Sequence, residues 1–115
     1  MTPIKHNRPF IFHFRPRVPM DGKSVVSGKG GVTIVYLPDS QRWGASVCSQ
    51  RDSFNRKLGR KIAEGRAACI VAQSRYACMD GFDIGGSCKS VEDVFQVARD
   101  LAHNLADYHN IHLTN

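Results

Sequence analysis

Residues 32–49 constrain the fold more than any other stretch of this chain. Val32 to Leu37 is a β-branched and aromatic run, Pro38-Asp39-Ser40-Gln41 supplies turn chemistry, and Trp43 to Ser49 returns as a second strand-like run. Such side chains fit a pleated surface and the polar turn residues adopt the angles that reverse a chain, so the segment reads as an antiparallel hairpin. A chain of 115 residues is one domain by length, with material for a single core around that hairpin and little beyond it. The expected fold is α+β over 1–115: a small antiparallel sheet with the β-hairpin at its centre, packed by two or three helices.

Ahead of the hairpin, residues 1–9 read as a flexible basic lead. Phe10, Phe12 and Phe14 alternate with Ile11 and His13, the period-2 pattern of a strand. Pro9, Pro16 and Pro19 bracket this run and limit it to an edge strand or a short extended arm. Ser27-Gly28-Lys29-Gly30-Gly31 reads as a turn or flexible loop, so 10–31 is expected as arm or edge strand plus loop. An uncovered edge invites pairing with a second chain, and a homodimer is one expected way of covering it.

Two helices are expected after the hairpin, both on one face of the sheet. In the first, Phe54, Leu58 and Ile62 fall at i, i+4 and i+8 as an apolar stripe, with Gly59 and Ala63 flanking it. Asp52 or Ser53 is its expected cap, and Gly65 its expected end. Residues 67–78 suit a buried strand or a continued helix, and their alanines favour helix. Met79 to Cys88, with Gly81, Gly85 and Gly86, reads as a loop. The last helix, about 91–109, opens on Ser90 and Asp93 in a capping-box-like arrangement and carries Val91, Val94, Phe95, Ala98, Leu101, Ala102 and Leu105 at helical spacing.

Charge is the main functional signal. Up to Arg66 the chain has 13 Lys/Arg against 4 Asp/Glu, and from Ala67 onward 3 against 6. A basic half of this kind suits a polyanionic partner better than the same charge spread evenly. Arg56, Lys57, Arg60 and Lys61 occupy the polar side of the first predicted helix, with Arg51 and Arg66 at its ends. Basic residues in a first turn oppose the helix dipole, and arginine suits bidentate phosphate contact. The ordinary alternative is a solvated face in which Glu64 pairs with Arg60 or Lys61. Arg15, Arg17 and Lys29 extend the basic set into the N-terminal segment, where Lys5, Arg8, Arg15 and Arg17 interleave with Phe10, Phe12 and Phe14 as in a single-strand-binding surface. Three same-side phenylalanines are more often core.

Other chemistry is weakly supported. Gly28 to Gly31 precedes a strand, the wrong order for a phosphate loop, and Gly85 to Ser90 departs from the Walker pattern at Ser87. The four cysteines contain no C-x-x-C pair, and no metal site or cofactor is expected. Cys48 as a nucleophile and Asp80 with Asp83 as a metal pair have no motif around them, so no catalytic residue is assigned and an enzyme is not expected. No stretch approaches the roughly eighteen apolar residues of a membrane span and no signal-peptide core opens the chain, so cytoplasmic localisation is the expectation.

The block Cys48-Ser49-Gln50-Arg51-Asp52-Ser53-Phe54-Asn55-Arg56-Lys57-Leu58-Gly59-Arg60-Lys61-Ile62-Ala63-Glu64-Gly65-Arg66, preceded by Gly31-Val32-Thr33-Ile34, resembles small uncharacterised proteins of bacteriophages and prophages. The resemblance implies a mobile-element accessory role and transfers no catalytic residue. With the charge pattern, it makes a non-enzymatic nucleic-acid-binding protein the leading expectation. A phage anti-defence protein that inhibits a host factor or sequesters a small anionic nucleotide is the alternative.

Overall fold

The computed structural model describes residues 2–68 and 88–113. Strand β1 (Phe10–Phe14) is followed by a small hairpin, β2 (Arg17–Met20) and β3 (Lys23–Val26), then by β4 (Lys29–Leu37) and β5 (Arg42–Ser53), and by helices α1 (Arg56–Ala68) and α2 (Val91–Tyr108). The main sheet is antiparallel in the order β1-β4-β5, and β2-β3 forms a separate two-stranded sheet. The fold is therefore a small α+β arrangement centred on the expected β4-β5 hairpin, with Val32 opposite Val47, Ile34 opposite Ala45 and Tyr36 opposite Trp43. Its turn is closed by Gln41 at φ 59.

β4 starts at Lys29, so the glycine-rich segment expected as a loop is partly strand. Its register against β5 breaks between Lys29 and Gly31. Gly30 has φ 79 at this irregularity, a conformation that a side chain would strain.

The helices lie on opposite faces of the sheet, in place of the single face expected. β4 is buried from Gly30 to Tyr36, and a central strand buried on both sides needs cover on both. On one face Val32, Ile34, Tyr36, Trp43 and Ala45 pack with Val94, Ala98, Leu101, Ala102 and Ala106 of α2. Phe10, Phe12 and Phe14 pack against this same cluster, as the period-2 pattern requires. On the other face Val35 packs with Ala63 and Ala67 of α1, joined by Ile11 and Leu37.

The α1 stripe also differs from the expected one. Leu58 is 53 % exposed, whereas Gly59, Ala63 and Ala67 are the buried positions. The reason is the sheet surface beneath: a Cβ at Gly44 would overlap the Ala63 carbonyl, and one at Gly59 would lie 2.7 Å from Thr33 Oγ1. At so short an approach only small residues fit, and larger apolar ones turn outward. Asn55, not Asp52 or Ser53, caps the helix, its Oδ1 accepting from the Leu58 amide at 3.0 Å. Nor does Gly65 end it: α1 continues to Ala68, with burial of Ala67 offsetting the roughly 1 kcal/mol cost of an internal glycine. Of the expectations for 67–78 and for the loop 79–88, the parts at 69–87 lie outside the described residues.

α2 matches its expected span closely. Ser90 is its N-cap, and Ser90 Oγ accepts from the Asp93 amide at 3.2 Å. Asp93 Oδ2 reaches back to the Lys89 amide at 3.4 Å, one residue earlier than in a standard capping box. The N-terminal segment runs to this same helix end: the Val91 amide donates to the Thr2 carbonyl at 2.7 Å, and Pro3 bridges to Ser90. The Thr2 amide donates to both Glu92 carboxylate oxygens, at 3.1 and 2.9 Å, and this bond lowers the Glu92 carboxyl to about 2.

Candidate anion-binding cleft

The site begins with the alternation in β1. Phe12 and Phe14 face α2, which puts His13 on the α1 side, opposite Thr33. His13 Nδ1 lies 2.9 Å from Thr33 Oγ1, and the imidazole meets the Phe54 ring edge-on with centroids 5.5 Å apart. Phe54 precedes α1, where its amide donates to the Gly28 carbonyl at 2.9 Å. The Arg15 guanidinium lies over the Phe54 ring, 4.7 Å from its centroid, so one phenylalanine orients both a histidine and an arginine.

After β1 the chain turns at buried Pro16 into the β2-β3 hairpin, whose base is closed by the Ser27 amide donating to the Pro16 carbonyl at 2.8 Å. Asp21 and Gly22 form its turn with φ 51 and 78, the two positive values of a type I′ turn. The hairpin brings Arg17 and Val26 together as a cross-strand pair beside β1. Arg15 Nη2 donates to the Ser27 carbonyl at 2.6 Å, and Arg17 donates through Nε to Ser24 Oγ at 3.0 Å and through Nη2 to the Ser24 carbonyl at 2.7 Å. Both arginines are thus held by residues that follow the turn, Arg17 by Ser24 of β3 and Arg15 by Ser27 just after it.

His13, Phe14, Arg15, Arg17, Val26 and Arg56 surround a cavity of about 240 Å³, which Leu113 also lines. Among the described residues no carboxylate lines it. Burial lowers the His13 pKa below its ordinary 6.5, and the nearby charges of Arg56, Arg15 and Arg60 lower it further. The imidazole is accordingly neutral near pH 7, in a cleft whose positive charge comes from arginine. Arg15 Nε is buried and has no acceptor among the described residues.

Of the nine residues expected to bind an anion, Arg15, Arg17 and Arg56 line this cavity. Lys57, Arg60 and Lys61 are exposed on α1, with Arg60 Nε paired to Glu64 at 2.9 Å. Arg51 is exposed near the end of β5 and Lys29 at the start of β4, and neither lines the cavity. Arg66 turns toward the sheet instead, with Nη1 donating to the Ala45 carbonyl at 2.8 Å. His13, Thr33, Phe54, Val26 and Leu113 were not legible as site residues. The Asp21-Gly22 pair was the available signal for the hairpin, since Asp-Gly between strand-like runs favours a type I′ turn.

The charge asymmetry along the sequence becomes an asymmetry across the sheet. The basic side of α1 is on one face, and Glu92, Asp93, Asp100 and Asp107 are exposed on α2 on the other. A second cavity of about 400 Å³, lined by Lys5, His6, Tyr36, Cys88 and Lys89 among others, carries no arginine among the described residues. Burial, and then Asp93, raise the Cys88 thiol pKa, which keeps the thiol protonated. The Cys48 thiol faces the Asp52 carbonyl at 3.4 Å. Among the described residues no group of three or more His, Cys, Asp or Glu is placed to hold a metal ion, and no helix is long and apolar enough to cross a membrane.

No protein-family model, curated protein or solved structure matches the chain.

Proposed function

We propose that this protein is a non-enzymatic nucleic-acid-binding protein, of the accessory kind found in bacteriophages, that engages phosphates through the basic side of α1 and the cleft at its N-terminal end. The observation that carries the reading is the meeting of Arg15, Arg17 and Arg56 around one cavity that no carboxylate of the described residues lines. Fixed guanidinium groups suit phosphate oxygens, and every phosphate neutralised releases counterions. Lys57 and Lys61 extend the same positive field along α1, and the acidic α2 face orients the molecule against a polyanion.

The test is binding to labelled DNA and RNA across a salt series. Affinity falls steeply with salt, and Arg56→Ala and Lys57→Ala each lower the slope of log K against log salt by about 0.7–0.9. Absence of binding at low salt would overturn the reading. The cavity itself favours a second one, an anti-defence role in which a small anionic nucleotide is sequestered, because the cleft has apolar as well as cationic walls. A thermal shift with one nucleotide and none with polynucleotide is its signature.

A further inference from the structure

We propose that the cleft at His13 receives the phosphomonoester of a nucleotide, with Arg15, Arg17 and Arg56 around the phosphate and Val26 and Leu113 against the nucleoside. The proposal rests on the anion-binding reading of the cleft and narrows its ligand.

The first argument is charge density. A surface that tracks a nucleic-acid backbone spreads its cations, because each phosphodiester carries one negative charge. Here three arginines converge on one cavity of about 240 Å³. A phosphomonoester carries about −1.5 to −2 charges near pH 7 and offers three acceptor oxygens, which matches three guanidinium groups better than a diester does.

The second argument is preorganisation. Arg15 is held by the Ser27 carbonyl and the Phe54 ring, and Arg17 by Ser24. Little side-chain entropy remains to be lost on binding. Arg15 Nε is a buried donor with no acceptor among the described residues, so the charge of this guanidinium is incompletely compensated by its surroundings. His13, bonded to Thr33, lines the same cavity.

Size and the apolar wall complete the case. The cavity lies below the roughly 300 Å³ at which pockets for drug-sized ligands begin, which is room for one phosphate and part of its nucleoside and not for a run of nucleotides. Val26 and Leu113 give that nucleoside an apolar surface beside the cationic one. The same chemistry is present at a phosphorylated strand end and in a free nucleoside monophosphate.

The experiment uses the full chain and one labelled single-stranded sequence carrying a phosphate at its 5′ end, at its 3′ end or at neither. Fluorescence anisotropy gives the affinities, and a nucleoside monophosphate competes against the parent nucleoside. A strand-end ligand makes one phosphorylated strand bind about tenfold tighter than the hydroxyl strand, consistent with one added charge-assisted contact. A free-nucleotide ligand makes the monophosphate bind while the three strands remain alike. In either case Arg17→Gln removes the discrimination, and Arg99→Gln on the opposite face preserves it. Equal binding of all strands with no effect of the monophosphate would overturn this proposal and leave the nucleic-acid reading standing. Monophosphate binding without strand binding would do the reverse.

Discussion

Gly44 of β5 lies so close to the backbone carbonyl of Ala63 in α1 that a methyl group at position 44 would overlap it. The helix and the sheet meet backbone to backbone there, with Ala67 completing the contact. This approach sets which α1 residues are buried, and through them where Arg56 stands relative to His13. Gly44→Ala is expected to destabilise the protein by about 2–3 kcal/mol, because the obstacle is main chain and cannot rotate away. Gly59→Ala meets the Thr33 side chain, its hydroxyl closest, and no main chain, and regains about 0.8–1 kcal/mol of helix propensity, so its net cost is smaller. Urea unfolding of both variants checks the order, and wild-type stability for Gly44→Ala would refute the close packing.

Leu58 and Ile34 offer a second comparison. An i, i+4 stripe makes Leu58 a core residue, whereas the structure leaves it 53 % exposed and buries Ile34 completely. Leu58→Ala is therefore expected to cost under about 1 kcal/mol, and Ile34→Ala about 2–5 kcal/mol. Equal losses in denaturant midpoint would show that the helix is rotated from the position described.

Ser90 is a buried N-cap whose hydroxyl accepts from the Asp93 amide. Ser90→Ala leaves that amide without its partner and is expected to cost about 1 kcal/mol, within the usual range for lost caps. Ser90→Asp retains an acceptor at the helix N-terminus, and its smaller loss in thermal midpoint distinguishes a cap from simple packing.

His13 gives the pH dependence. Its folded pKa lies below the ordinary 6.5, so between the two values the unfolded chain binds more protons than the folded one. Stability from this site is complete above about pH 6.5 and falls as the pH drops through the lowered folded pKa. Thermal midpoints measured from pH 7.5 to 5 should fall less in His13→Gln than in wild type. Parallel curves would mean that burial and the neighbouring arginines do not hold the imidazole neutral.

Much of the scaffold is legible from local chemistry. Val32 to Leu37 and Trp43 to Ser49 pair as their composition implies, and Ser90 starts a helix whose apolar spacing faces the core. The small β2-β3 hairpin was also written locally, in Asp21-Gly22, but Pro16 and Pro19 spoke against strands nearby. Pro19 fits because a two-stranded sheet consists of edges only.

The sequence alone determined the central hairpin, the C-terminal helix and its cap, and the concentration of cations before Ala67, because those depend on neighbours within a few residues. Tertiary structure decided that the helices cover opposite faces and that Gly59, Ala63 and Ala67 are the buried side of α1. Hydrophobic ranking places Leu58 above Gly59, and only the shape of the opposing surface, Gly44 and Thr33, reverses that order. The cleft belongs to the same category. Its walls come from positions 13–15, 17, 26, 56 and 113, and what joins them is the packing of α1 and the small hairpin beside β1, a distance in space that no local spacing encodes.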